Sequence, residues 1–169
     1  DAALEKFFAD RVEYYFREIR GFAYDEVNAV MAAGWDDLRD VALRLDAVKA
    51  VRATENFEPL AAAFKRIKNI LKQAQFGEDG AVDAAKLEPG AEQALHGEFL
   101  RVKKAIEGQG YGPALEAIAS LRPAVDSFFD KVMVNVEDAG VRRNRLTLLK
   151  GLLSEFSTLA DFSEIVTKS

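Results

Sequence analysis

The chain has 169 residues, 49% hydrophobic and 30% charged, a length and balance that suit one globular domain with a sizeable core rather than two domains or a disordered segment. It contains no cysteine, which excludes disulfides, thiolate metal sites and a cysteine nucleophile, and it has no apolar run of membrane-spanning length and no secretory signal pattern. Its net charge of −5 argues at first against a polyanionic partner. These features suggest a cytoplasmic domain without membrane contact, and a start at Asp1 rather than methionine suggests a piece cut from a longer polypeptide.

In chain order, Leu4, Phe7, Phe8, Val12, Tyr15, Phe16 and Ile19 follow helical spacing and predict one inward stripe, with Asp1 as N-cap and Gly21 as stop. A second helix is expected from Tyr24 to Ala33, ended by Gly34, and a third from Asp37 to Arg52 with Leu38, Val41, Leu45 and Val48 inward. The fourth, Glu58 to Gln75, carries Leu60, Phe64, Ile67 and Leu71 inward and admits Pro59 in its first turn. Periodicity lapses between Phe76 and Gly90, predicting a surface loop with one helical turn at most. Helices resume from Ala91 to Glu107, from Ala114 to Leu121 and from near Pro123, and a last one runs from Asp138 to Ala160 with Leu146, Leu149, Leu153 and Phe156 inward. Strand-like alternation is confined to Val132–Val136. The expected fold is all-α, a single-domain bundle of about seven to eight helices joined by short links.

Nothing in the chain reads as catalytic. His96 is the only histidine and has neither a metal-ligand spacing nor a nucleophile to serve. Gly108 to Gly112 lacks the Lys-Ser/Thr ending and the preceding strand of a phosphate loop, and reads as a turn. The acidic pairs Asp36-Asp37 and Glu78-Asp79 fall at a helix start and in a loop, where solvation accounts for them.

The distribution of charge is more informative than its sum. Residues 59–77 contain no Asp or Glu but four cations, Lys65, Arg66, Lys68 and Lys72; residues 139–154 are likewise free of acid and carry Arg142, Arg143, Arg145 and Lys150. The rest of the chain has 15 basic against 28 acidic residues, so positive charge is segregated and a polyanion could be bound on one face. Lys65, Lys68 and Lys72 share a helix face, with Arg66, Asn69 and Gln73 on the adjoining strip; amides beside cations suit base edges beside phosphates. Asn144 is bracketed by arginines in the same way. Three arginines in four residues cannot share one face, so an internal partner, Asp126, Asp130 or Asp138, competes for at least one. A solvated basic stripe is the competing reading of the whole pattern. Tyr14, Tyr24, Trp35 and Tyr111 are the candidate stacking platforms, although burial is the expectation for each.

Phe7-Phe8-Ala9-Asp10-Arg11, Tyr24-Asp25, Ala63 through Leu71, Val125 through Val134, Arg143 through Leu149 and Asp161-Phe162-Ser163 together resemble, in order and over nearly the whole chain, the C-terminal anticodon-binding domain of the bacterial glycyl-tRNA synthetase β subunit. That family belongs to helical anticodon-binding domains named for an Asp-Ala-Leu-Arg motif; Asp40-Val41-Ala42-Leu43-Arg44 is one residue longer and counts neither way. The resemblance implies that residues 1–169 grip the anticodon arm of glycine tRNA, with no DNA partner. Aminoacylation would lie in a separate catalytic α subunit of an α2β2 enzyme, and ATP and magnesium would be bound outside this domain. Glycine anticodons end in two cytosines, each an amino donor beside two acceptors, so Asp126, Asp130 and Glu137 with Arg143, Asn144 and Arg145 form a candidate reading set. An arginyl-type anticodon-binding domain and a helical protein-interaction module are the alternative readings.

Overall fold

In the computed structural model, which describes residues 1–168, the chain forms eight α-helices and no strand among those residues. They are α1 (Ala2–Tyr14), α2 (Tyr24–Ala32), α3 (Leu38–Arg52), α4 (Phe57–Gln73), α5 (Ala91–Ala105), α6 (Tyr111–Ala119), α7 (Arg122–Lys131) and α8 (Ala139–Phe156). The predicted loop between α4 and α5 holds a single 3₁₀ turn, Ala84–Lys86. Helix α6 starts three residues earlier than periodicity predicts, at Tyr111. Its Gly112 and Pro113 sit in the first turn, where a missing N–H leaves no helical bond unmade.

The caps follow local chemistry. Asp1, Asp37 and Asp138 accept backbone N–H groups at the starts of α1, α3 and α8, the last from Gly140 (2.9 Å) and Val141 (3.1 Å). Helix α1 widens into a π-helical turn, Tyr15–Ile19, and stops at Gly21, whose φ of +73° suits a residue without Cβ.

One continuous core joins α2 to α8. Phe162, in a C-terminal 3₁₀ turn (Phe162–Glu164), packs between Phe57 and Phe64 with ring centroids 5.8 and 5.4 Å away. The tail is stitched back to α2: Asp161 N–H donates to the Ala29 carbonyl (2.8 Å) and Val166 N–H to the Asp25 carboxylate (2.9 Å), which also accepts from Arg52 (2.7 Å). A second hub is the buried Arg44, which donates to Asp40 (2.8 Å) and to the carbonyls of Val30, Gly34 and Leu159; Tyr111 O–H donates to the same Asp40. Asp40 and Arg44 thus form an i,i+4 ion pair joining α3 to the end of α2, to α6 and to the tail.

Two expectations fail against this packing. Leu38 is exposed at the start of α3. More extensively, the stripe on α1 is not inward: Leu4, Phe7, Phe8 and Ile19 are each at least half exposed, Tyr15 is exposed, and of the seven only Phe16 is buried in the core, beside Phe22. Helical periodicity reports an amphipathic helix, but whether anything covers the apolar face depends on where the chain turns next. Here it turns at Gly21, so the helix is carried outward from the bundle.

Candidate nucleic-acid interface

The two acid-free segments become α4 and α8, which pack on each other. Along α4, Leu60, Phe64, Ile67 and Leu71 are buried as spacing predicts, so Lys65, Arg66, Lys68, Asn69, Lys72 and Gln73 are all exposed. They do not form one strip. Lys68 turns to the C-terminal tail and donates to Asp161 (3.1 Å) and Ser163 Oγ (3.2 Å). Arg66 turns the other way, its guanidinium 4.1 Å from the centre of the Phe129 ring on α7. Lys65, Asn69, Lys72 and Gln73 have no side-chain hydrogen bond or ion pair among the described residues, and their charge and amides face solvent.

On α8 the arrangement is inverted. Asn144 through Leu149 are six consecutive buried residues, because α8 is enclosed by neighbours including α4 and α5. Asn144 accepts from Asp83 N–H through Oδ1 (2.8 Å) and donates through Nδ2 to the Asp83 carbonyl (3.0 Å), clamping the 76–90 loop. Arg145, 5% exposed, pairs with Glu92 on α5 (3.2 Å) and with Glu88 (3.3 Å), and donates to the Met133 carbonyl (2.6 Å). Both residues, expected on the RNA face, are enclosed and satisfied internally. Exposing them would strand the buried Glu92 carboxylate and the Asp83 backbone.

Arg143 remains exposed but pairs with Glu78 of the loop (2.7 Å), an exposed contact of small energetic weight that an incoming phosphate can displace. Lys150 donates to the carbonyls of Gly77 and Glu78 and to Asp79, all at 2.8 Å. The Lys150 ammonium holds the Asp79 carboxyl below its ordinary value. Arg142, half-buried, donates to the Val136 carbonyl (2.7 Å). The internal competitors for these arginines are thus Glu78, Glu88 and Glu92, and not Asp126, Asp130 or Asp138.

Asp126 and Asp130 are exposed on α7 beside Arg66, the former bonded to Arg122 (3.4 Å) and the latter without a partner among the described residues; Glu137 is exposed ahead of α8. Between α7 and α8 the chain is irregular: it bends at Val134 and Asn135, where Val136 N–H donates to the Val134 carbonyl (3.0 Å), and burial alternates from Val132 to Val136. This segment, α4 and the α7 end enclose a cleft of about 590 Å³ whose lining includes Arg66, Gln73, Phe129, Asp130, Asn135 and Arg142. Neither Phe129 nor Asn135 stood among the candidate residues; the one available signal was the short alternating run after the α7 stop. Of the aromatic candidates, Tyr14 and Tyr24 are exposed on α1 and α2, outside both basic segments, Trp35 is half-buried, and Tyr111 is engaged with Asp40.

His96 is half-buried on α5, and among the described residues no group of three His, Asp or Glu side chains is placed to hold a metal ion. No described helix is long and apolar enough to cross a membrane.

A family description, the DALR anticodon binding domain, matches residues 60–166, from α4 to the C-terminal tail. The chain belongs to that family. Among curated relatives, the glycine–tRNA ligase β subunit of Acidobacterium capsulatum is 50% identical over 95% of this chain, that of Syntrophus aciditrophicus 42% over 97%, and that of Geobacter metallireducens 46% over 85%. The chain spans about a quarter of the length of these relatives, 24%, 24% and 21% respectively. The matched region contains the α4 cations, the cleft and the clamped loop, whereas α1 to α3 of this anticodon-binding domain lie ahead of it.

Proposed function

We propose that the chain is the anticodon-binding domain of a glycine–tRNA ligase β subunit and that it grips the anticodon arm of glycine tRNA. The observation that carries this reading is the 50% identity over 95% of the chain to a glycine–tRNA ligase β subunit. The geometry supplies a means. Lys65 and Lys72 are free to neutralise phosphates, and Arg143 can do so on leaving Glu78. Asn69, Gln73 and the carboxylates of Asp126, Asp130 and Glu137 are the groups left to read bases. Asn144 and Arg145 act by holding the loop and α5 in place. The domain is non-catalytic: ATP-dependent glycyl transfer proceeds in a separate α subunit of an α2β2 assembly, ATP and magnesium are bound there, and the enzyme works in the cytoplasm. The bare apolar face of α1 supports a protein contact in addition to RNA, as suits a domain within a multisubunit ligase.

The test is binding of the domain to glycine tRNA and to a variant with both anticodon cytosines replaced, at two salt concentrations. Affinity that falls steeply with salt and also falls on replacement supports the proposal; equal affinity for both RNAs reduces the site to a nonspecific basic face, and no binding at either salt refutes it.

A further inference from the structure

We propose that the cleft between α4, the end of α7 and the linking segment 132–135 takes one extruded cytosine of the anticodon loop, stacked on the Arg66–Phe129 pair and read by Gln73, Asp130 and Asn135. The inference rests on the anticodon-binding reading and adds to it the place and the chemistry of base recognition.

Three features of the cleft converge on an unpaired base. The first is a platform already assembled: Phe129 is half-buried and packed against Phe128, with ring centroids 5.6 Å apart, and the Arg66 guanidinium lies over it at 4.1 Å. A guanidinium plane backed by an aromatic ring is a surface on which a splayed base stacks. Second, the cleft has the right balance of lining. Ile70, Ala74, Val132 and Leu146 form apolar walls, and about 590 Å³ accommodates a base with its ribose.

Third, the polar groups on its lining are unspent. Among the described residues, the side chains of Gln73, Asp130 and Asn135 make no hydrogen bond, and the N–H groups of Met133, Val134 and Asn135 donate to no oxygen. The segment is nevertheless held in place, since Arg145 and Arg142 bind the Met133 and Val136 carbonyls. The donors and acceptors are therefore offered on a fixed frame. A carboxylate or amide oxygen accepts from the cytosine N4 amino group, and an amide N–H donates to N3 or O2. Uracil presents an acceptor at position 4 and a donor at N3, which reverses the contacts at those two positions while leaving O2 an acceptor, and sets its O4 against the Asp130 carboxylate. Arg142 in the lining, and Lys65 and Lys72 outside it, supply the positive surroundings that the flanking phosphates need.

The experiment uses a glycine anticodon stem-loop carrying the fluorescent analogue pyrrolocytosine at one anticodon cytosine, with unlabelled cytosine and uracil loops as competitors. For the unaltered domain, emission changes on binding as the base leaves solvent, and the cytosine loop competes at least tenfold better than the uracil loop. Gln73→Ala and Asn135→Ala, both at exposed positions, should cut that preference at least fivefold without altering the salt dependence. Phe129→Leu should lower the emission change, and circular dichroism will show whether the helices persist in it. Lys72→Ala, outside the cleft, should weaken both loops equally. A preference for cytosine that survives Gln73→Ala and Asn135→Ala within twofold overturns the cleft assignment while leaving anticodon binding in force. Absence of any preference in the unaltered domain overturns the assignment together with the reading beneath it.

Discussion

Helices α4 and α8 pack on one another, carry four cations each in stretches free of acid, and use them in opposite directions. Helix α4 lies at the surface, so its apolar residues fill one face and its cations are pushed to the other. Helix α8 is enclosed: Leu146, Leu148, Leu149 and Leu152 are buried around its circumference, and the polar residues among them must find partners inside. Basic residues on a surface helix are available to a ligand, whereas on an enclosed helix they become the bolts of the fold. Charge segregation in a sequence locates cations without saying which of the two they are.

The contrast predicts a ranking. Arg145→Ala leaves the Glu92 carboxylate buried without its counter-charge and should cost about 3–5 kcal/mol, read as a lower midpoint in urea unfolding. Asn144→Ala removes both bonds to the Asp83 backbone and should cost about 1–3 kcal/mol, with hydrogen exchange rising selectively across residues 76–90. Lys65→Ala and Lys72→Ala should each leave stability within about 0.5 kcal/mol while weakening RNA binding and lowering its salt slope by about one. An α4 lysine that proved as important to folding as Arg145 would erase the distinction.

The smallest expected effect concerns pH, and it falls on Lys68, the one α4 cation in an ion pair among the described residues. Burial pushes the Asp161 carboxyl up, but the Ser163 hydroxyl and N–H and the Lys68 ammonium outweigh it and hold the group below its ordinary value of 3.8. The folded state thus binds this proton less readily than the unfolded chain. The stabilisation is complete above that ordinary value and is lost as pH falls through the lower folded one. Asp161→Asn should flatten stability across that acid range and leave it unchanged in slope near neutrality, as followed by urea midpoints at stepped pH.

Much of the architecture was legible. Gly21, Gly34 and the lapse after Phe76 marked real chain turns, Asp37 and Asp138 marked real helix starts, and the Leu60–Phe64–Ile67–Leu71 spacing gave the buried face of α4. The site was legible only in half. Its cations on α4 followed from that same spacing, since a helix with one apolar face must expose the other. The inward turn of Asn144 and Arg145 did not, although five leucines between 146 and 153, too many for one stripe, signalled a helix buried all round.

By itself the sequence determined which segments are helical, where they stop and where positive charge collects, because capping, glycine conformation and side-chain spacing act over a few residues. Only the tertiary structure decided that α1 leaves Phe7 and Phe8 uncovered, that Arg44 and Arg145 are structural, and that Arg66 meets Phe129 beside Gln73 and Asn135. Each of these depends on what a distant segment brings alongside, and a local pattern of residues carries no information about that neighbour.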